Sequence, residues 1–514
     1  MGGGLLQLVS YGAQDIYISG NPQITFWKIL YKRHTNFAME SIEVTFNGQA
    51  DFNKRVTAVI NRNADLMFRT YLQVVLPQVD FVTSQTALNS FRWVSYVGHR
   101  LIKQVELEIG GQRIDRQYGD WMQIWTQLST EQGQVPALDT LVGNTHDLTL
   151  IKNRSGLALD ATCASTENTQ SCVPRSGTPA KTLYVPLQFW FCRNPGLAIP
   201  LIALQYHEVR LNVDFETWEN CTYGEVASGL PTRPVAQSLA AASLWVDYVY
   251  LDTEERRRFA QQSHEYLIEQ VQYTGAESIT SSSNKVQLNF NHPVKELLWV
   301  VQRDSFVDCS YPPWMGAFGG QQPFNYSDDF STEGTIMSLL SAGGASTTTS
   351  GALPTRSLGA GNTNTYATTY GAGTIGAGDD QVFDYGVNYL LAKVILASGV
   401  RCEGKNPVEV CKLQLNGQDR FTEREGSYFG SVQPYQHHSR TPSTGINVYS
   451  FALKPEEHQP SGTCNFSRID KATLQLTVSI NTVVGSNTAQ VRVYALNYNV
   501  LRVMSGMGGL AYSN

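Results

Sequence analysis

With 514 residues and 42% hydrophobic content, the chain is long enough for several globular units and can build a substantial core. Charged residues make up 16%, against roughly 25% in an average globular chain. The formal charge of −6, from 38 basic and 44 acidic residues, argues against the strongly basic domain or stripe of a nucleic-acid binder. Polarity comes instead from Ser, Thr, Asn, Gln and 43 Gly, as in a loop-rich β protein or one that buries much surface against partners.

Residues 1–25 mix Gly with a few large apolar side chains and show no period, which reads as an arm that orders against something else. Lys28–His34 (KILYKRH) is locally basic and reads as a solvated or interface face. Alternating apolar residues then predict strands near Ile42–Phe46, Val56–Ile60, Leu66–Leu76 and Leu101–Ile109, followed by a helical turn around Trp121–Trp125. A polar excursion from Gln127 to Lys181 separates these from strands near Thr182–Phe191, Gln205–Phe215 and Ser243–Leu251. The segment Leu251–Gln262 is the one convincing helix between the halves, with Asp252 as N-cap and Glu254 and Glu255 in the first turn.

Strands resume near Tyr266–Tyr273, Lys285–Phe290 and Leu297–Gln302. Arg303–Gly386 interrupts them, and its low-complexity Gly, Ser, Thr and Ala cannot build a core, so it reads as a surface loop. Further strands are expected near Val408–Leu415, Asn447–Leu453, Ala472–Ile480 and Ala489–Val500. The resulting division is an arm (1–25), a first sandwich (26–251), a helical linker (252–263) and a second sandwich (264–514, with the insertion 303–386).

The two sandwiches are similar. VELEIGGQ at Val105–Gln112 is echoed by CKLQLNGQ at Cys411–Gln418, each an alternating strand running into a Gly turn. VTAVINR from Val56 is matched by VQLNFNH from Val286, and the stretch from Pro195 by that from Pro460, placing Leu211 and Val213 on Leu476 and Val478. The matches keep their order while their offsets differ, as in a duplicated domain with loops of unequal length. Long loops and about eight strands per half predict an all-β chain of two tandem eight-stranded antiparallel jelly-roll sandwiches. An immunoglobulin-like sandwich is disfavoured by size and by the missing Cys–Trp–Cys spacing.

Motifs that could carry chemistry lack their context. Gly371, Gly373 and Gly376 spell GxGxxG without a preceding strand or a following helix. Gly399, Gly404 and Lys405 spell GxxxxGK, but Asn406 stands where a magnesium-binding Ser or Thr is needed. His207–Glu208 and His437–His438 are adjacent pairs, which a strand points to opposite faces. No nucleophile–base pattern stands out, so no enzyme, cofactor or metal is expected. The eight Cys are scattered, and most read as buried free thiols of a reducing compartment; Cys163 and Cys172 share one polar loop and could pair. No apolar run reaches membrane-spanning length, and neither a signal peptide nor a myristoylation pattern is present, so a soluble, cytosolically made chain is expected. Of four Asn-x-Ser/Thr triplets, at Asn153, Asn220, Asn325 and Asn465, Asn325 and Asn153 are the candidate glycosylation positions because they fall in long loops.

Several long stretches resemble a known family. Tyr11–Ile42, Glu106–Asp115 and Asn194–Val209 resemble the N-terminal half of the major capsid proteins of nucleocytoplasmic large DNA viruses. Leu415–Gln436, Pro460–Asp470 and Asn497–Asn514 resemble the C-terminal half, in the form found in viruses of algae and related protists. The resemblance spans nearly the whole chain and departs in the loops 128–181 and 303–386. It implies a double jelly roll that self-assembles into a homotrimeric, pseudo-hexagonal capsomer of an icosahedral shell. It further implies a late protein, assembled in host cytoplasm and found in the virion capsid. The implied partners are neighbouring capsomers, minor capsid and penton proteins, and an internal membrane; direct nucleic-acid binding is not implied. On this reading Leu5, Leu6, Leu8 and Tyr11 of the arm contact whatever lies at the inner face. The alternative is a sugar-binding jelly-roll protein or a tandem cupin-like enzyme. A cupin would need His and Glu clustered on inward strand faces, and the nine His are dispersed.

Overall fold

The computed structural model describes residues 2–27, 31–80, 88, 90–149, 152–153, 177–225, 231–307, 321–328, 404–483 and 487–512. Eight strands carry each half. The first half contains β1 (Phe37–Val44), β2 (Arg55–Ile60), β3 (Leu66–Leu76), β4 (Ile102–Ile109), β5 (Gln112–Tyr118), helix α1 (Gly119–Ser129), β6 (Lys181–Pro186), β7 (Val209–Phe215) and β8 (Ala241–Leu251). Helix α2 (Thr253–Gln261) follows, with the Asp252 side chain accepting from the Thr253 amide. The second half contains β9 (His264–Ile279), β10 (Ser283–Leu288), β11 (Pro293–Arg303), β12 (Val408–Leu415), β13 (Gln418–Asp419), β14 (Ile446–Ser450), β15 (Ala472–Val478) and β16 (Ala489–Met504).

The two main sheets of the first half run β1-β8-β3-β6 and β2-β7-β4-β5, beside a smaller four-stranded sheet that includes Ser90–Trp93 and Thr222–Glu225, and the main sheets of the second run β9-β16-β11-β14 and β10-β15-β12-β13. Adding eight to each strand number turns one half into the other, and every pairing is antiparallel. This is jelly-roll order twice over. Even the minor strands repeat: Ile199–Pro200 adds to β3 where Cys464–Asn465 adds to β11.

The duplicated sequence stretches are β2, β4 and β7 with their counterparts β10, β12 and β15, three neighbours in one sheet of each half. The ladders correct the alignment by two residues. Val213 lies opposite Val105 and Val56, and Leu476 lies opposite Cys411 and Asn284. Val213 is therefore equivalent to Leu476, not to Val478, and Val56 to Asn284. A slip of two leaves every side chain on its original face, which is why the pattern alone could not detect it.

Both copies of the repeated strand end in a two-residue turn with positive φ at each position: 59° and 82° at Gly110 and Gly111, 50° and 81° at Asn416 and Gly417. That is the turn whose twist matches paired strands. A Cβ at Gly110 would collide with the His207 ring, so only glycine fits there. Asn416 has room, and its Oδ1 accepts from the Lys471 amide at 2.9 Å.

Several elements differ from the sequence expectation; the strand expected near Thr182–Phe191, for one, stops at Pro186 and gives way to a short helix, Trp190–Arg193. β5 (QRIDRQY) is too polar to read as a strand, and it forms because β4 supplies its partner. Helix α1 is longer than the expected turn, and nine of its eleven residues are buried. The excursion after Gln127 contains a helix, Val135–Val142, closed by Gly143 at φ 82° and packed on β6. The centre of the 303–386 insertion, with Gly371, Gly373 and Gly376, lies outside the described residues, as do Cys163, Cys172 and Gly399. Cys192, Cys221, Cys411 and Cys464 are free thiols.

One hydrophobic cluster fills the second sandwich, including Trp299, Phe429 and Leu474. The other fills the first sandwich and continues across to Leu298, Val300, Tyr494 and Leu496 of β11 and β16. These two strands are buried on both faces, so LLWVV at 297–301 is continuously apolar rather than alternating.

Candidate assembly surfaces

The halves meet along a seam built by α1. Tyr118, at the end of β5, meets Tyr273 edge-on at 4.9 Å, and Tyr273 stacks on Tyr494 at 4.7 Å. Trp121 stacks on Trp125 at 5.6 Å and packs against Tyr494 at 5.8 Å. Backbone groups join as well: Asp115 Oδ1 accepts from the Val271 amide at 3.1 Å, and Arg440 N donates to Leu128 O at 3.1 Å. The Gln127 side chain accepts from Ser443 N and Oγ. Interfaces between domains permit motion unless they are large and apolar. This one shares a continuous core, so the two sandwiches are held at one angle.

Buried charges punctuate the seam. Glu269 on β9 is 2.6 Å from Arg193 Nη2 of the first half and 2.5 Å from Lys295 Nζ of β11. Burial opposes the Glu269 charge, but Arg193 and Lys295 outweigh it and hold its carboxyl below the usual range. Lys295 itself is pulled down by burial, with Glu269 partly restoring it. Arg492 reaches across to Asp120 on α1 and donates to Gln302 at 2.6 Å.

His438 lies next to the seam, 3.0 Å from both Glu296 and Glu456, with Trp125 edge-on to its ring. Burial opposes the ring's charge, but the two carboxylates prevail and hold its pKa up at about 9. Raised above the ordinary imidazole value, this group stabilises the fold fully below about pH 6.5 and loses that contribution as pH rises through 9. Asp115, pushed up to about 7 by burial, acts in a lower window, losing its contribution between the ordinary carboxyl value and pH 7. His438→Gln is thus expected to be less stable than the parent at pH 7, by up to roughly 3 kcal/mol. The gap should close by pH 9.5 in urea unfolding at the two pH values. A difference independent of pH would refute the charged-ring account.

The outward-facing groups are of another kind. Leu5, Leu6 and Leu8 lie on a helix, Gly3–Val9, that buries none of its residues, and Tyr11 is 59% exposed. Ile24 at the end of the arm, and Phe26 and Trp27 just after it, are almost fully exposed. Outside the arm, Phe37, Met39 and Tyr184 are exposed on the first half, and Val432, Tyr435 and Leu453 on the second. Sequence reading missed these six because a strand or helix shows its two faces but not which neighbour covers them.

The positions singled out from the sequence do not converge on one site. Asn325 is half-buried, donating to Gln322 Oε1 at 2.8 Å and accepting from Ser327 Oγ of its own triplet at 2.7 Å. Asn153 lies in a short strand, Lys152–Asn153, paired with Ser90 and Phe91. His207 is half-buried with Nδ1 against the Gly508 backbone, while Glu208 is exposed and pairs with Arg210. His437 bonds to Leu453 O whereas His438 turns inward. The Lys405 amide donates to Asp328 at 2.6 Å. Among the described residues, no group of three or more His, Cys, Asp or Glu is placed to hold a metal, and no helix is long and apolar enough to cross a membrane. The buried charges had a legible trace in Lys295–Glu296, two charges directly before the apolar run 297–301 of the same strand.

Comparison with known proteins is consistent across the chain. Residues 25–252 match the family model for the major capsid protein N-terminus, and residues 255–509 match that for the large eukaryotic DNA virus major capsid protein. The chain is 57% identical to the major capsid protein of Phaeocystis pouchetii virus and 38% identical to that of Paramecium bursaria Chlorella virus 1, with both chains covered in full. Among solved structures, the VP54 protein of PBCV-1 is 34% identical with a TM-score of 0.61, covering 95% of this chain and 100% of that one. The Faustovirus major capsid protein, at 14% identity and a TM-score of 0.65 over 96% and 94% of the chains, shares the fold.

Proposed function

This chain belongs to the major capsid proteins of large eukaryotic DNA viruses, and from that premise we propose that three copies close into a pseudo-hexagonal capsomer that tiles an icosahedral shell. It is a structural protein of the virion, and its relatives are structural proteins rather than enzymes. The observation that carries the proposal is the paired topology. Two sandwiches of identical strand order, fixed at one angle, make three chains into a ring of six similar units with closed symmetry. On this reading the arm is 1–25, the sandwiches are 26–251 and 264–514, and 252–263 links them. Neighbouring capsomers, minor capsid and penton proteins and an internal membrane are the partners, and assembly takes place in host cytoplasm.

Light scattering coupled to size exclusion tests the trimer. The expected species is near 171 kDa, three times 57.0 kDa. A folded monomer would overturn the proposal.

The arm is assigned to the inner face. Leu5, Leu6, Leu8 and Tyr11 bury nothing against their own chain, so their apolar surface is available to another molecule. Deleting residues 1–25 is expected to leave the trimer mass, less the arm, unchanged and to prevent lattice formation seen by electron microscopy. Dissociation of the truncated trimer would instead make the arm part of the capsomer. For glycans, the Asn325 amide is engaged by Gln322 and Ser327, and intact-mass measurement with peptide mapping on virion-derived protein decides whether Asn325, Asn153 or neither carries one.

A further inference from the structure

We propose that the segment 453–461 is a strap that closes over the buried charges of the seam and is released by acid through His458. Every group involved belongs to one chain, so neither the strap nor its release depends on the capsomer reading. The strap runs between β14 and the minor strand Cys464–Asn465. Its counterpart in the first half is the connection 187–198, between β6 and Ile199–Pro200. Apolar burial anchors that connection: Leu187, Phe189, Trp190 and Phe191 are each 2% exposed or less. The strap has no such anchor. Leu453, Lys454, Glu457, Gln459 and Pro460 are exposed, and Pro455 is its one buried residue.

Polar contacts hold the strap instead. Lys295 Nζ donates to Pro455 O at 2.5 Å. Glu456 lies 3.0 Å from His438 Nδ1 and accepts from the Ser439 amide at 2.9 Å and from the Ser439 hydroxyl. His437 Nδ1 donates to Leu453 O at 2.9 Å, which either charge state of that ring allows. The two ends are tied by Leu453 N to Ser461 O at 3.4 Å and Lys454 N to Ser461 Oγ at 3.0 Å, and Lys454 pairs with Glu457 at the surface. His458 is the exception. Its Nδ1 is buried, makes no hydrogen bond and stands 4.0 Å from Glu269. Lys295 of β11 and Arg193 of the first half already bind that carboxylate, so His458 faces one anion shared by two cations. Around them, the Tyr498 ring lies on Lys295 at 5.3 Å and Glu296 faces His438.

A proton on His458 therefore costs burial of a charge and repulsion by Lys295 and Arg193, against attraction to Glu269. Burial is the largest of these and holds the ring's pKa below its ordinary 6.5. Released, the ring takes a proton near 6.5; closed, it does so only at lower pH. Closure thus weakens as pH falls below 6.5, by up to about tenfold in the open-to-closed ratio per pH unit. Glu456 acts lower. Burial raises its carboxyl, but His438 and Ser439 prevail and keep it under the usual 4.5, so its contribution is lost only as pH falls below 4.5. His438 stays charged throughout, its pKa held up at about 9. Release takes Pro455 O away from Lys295 and admits water to Lys295 and Glu269. External acidity is thereby transmitted to the charges that join the halves, by a local opening rather than by unfolding.

The test is hydrogen exchange read by mass spectrometry on the full chain at pH 7.5 and 5.0, with intrinsic rates corrected for pH. Protection of the strap amides is expected to fall about tenfold between the two, while that of β15, inside the second sandwich, holds. His458→Gln removes the titratable ring without breaking a hydrogen bond at Nδ1. It should match the parent at pH 7.5 and keep its protection at pH 5.0. Glu456→Gln gives up the ion pair with His438 and should lower strap protection at both pH values. Unchanged protection in the parent at pH 5.0 would overturn the proposal, as would an acid loss in H458Q equal to the parent's. A strap as protected in E456Q as in the parent at pH 7.5 would show that Glu456 does not fasten it, and would also count against the proposal. Loosening of β15 together with the strap would mean general unfolding in place of release and would sink it.

Discussion

Glu269→Gln is expected to destabilise the chain by about 3–5 kcal/mol, the cost of removing one partner from a buried ion pair. The substitution keeps shape and volume but leaves Lys295, whose side chain is wholly buried, facing Arg193 without an intervening anion. Two cations left in that setting repel, and Lys295, unlike the partly exposed Arg193, has no access to water that would screen it. At roughly 2–4 °C per kcal/mol for a unit of 150–250 residues, the melting temperature should fall by about 10 °C. Differential scanning calorimetry on the purified chain measures it. Adding Lys295→Met should recover part of the loss, because a well-packed apolar group is tolerated where an unpaired charge is not. A melting temperature unchanged in E269Q would mean that water reaches the site and that the seam is not sealed.

Trp121→Ala is expected to cost a similar amount, about 3–5 kcal/mol, by opening a cavity between the halves. Trp121 is 1% exposed and bridges Trp125 of its own helix to Tyr494 of the other half. Its removal should also change the form of the transition. A shared core predicts one cooperative unfolding event, and a weakened seam should split it into two. Trp299→Ala serves as the contrast, since Trp299 lies inside the second sandwich against Phe429 at 5.1 Å. It should lower stability comparably without separating the halves. If W121A keeps a single sharp transition, the coupling runs mainly through the charges and backbone bonds.

Both substitutions act on the feature that gives the chain its use as a building block. In the proposed capsomer, two jelly rolls on a loose hinge could not set the angles of a ring. The seam supplies that fixity with an aromatic stack, paired buried charges and hydrogen bonds in which the Asp115 carboxylate accepts from the Val271 amide and the Leu128 carbonyl from the Arg440 amide.

Alternating apolar residues placed most of the strands in the sequence, and the Gly110–Gly111 and Asn416–Gly417 turns marked the duplication, because period and turn chemistry are local properties. The family resemblance was equally legible, in long stretches such as Asn194–Val209 and Leu415–Gln436. Local pattern also has a fixed blindness. It left the ladder between the repeats two residues out of step, since a two-residue slip exposes and buries the same side chains. It passed over β5, whose polar residues are strand only because β4 lies beside them.

What the sequence by itself determined, then, is two copies of one strand order and the family to which they belong. The tertiary structure alone decided which faces are used up within the chain and which remain. Tyr494 and Tyr435 are both tyrosines in the second half, one 1% exposed and the other 84%. The difference is set by helix α1, more than 300 residues away from either in the chain. Burial is a property of what packs on a residue, and a one-dimensional pattern holds no record of that neighbour.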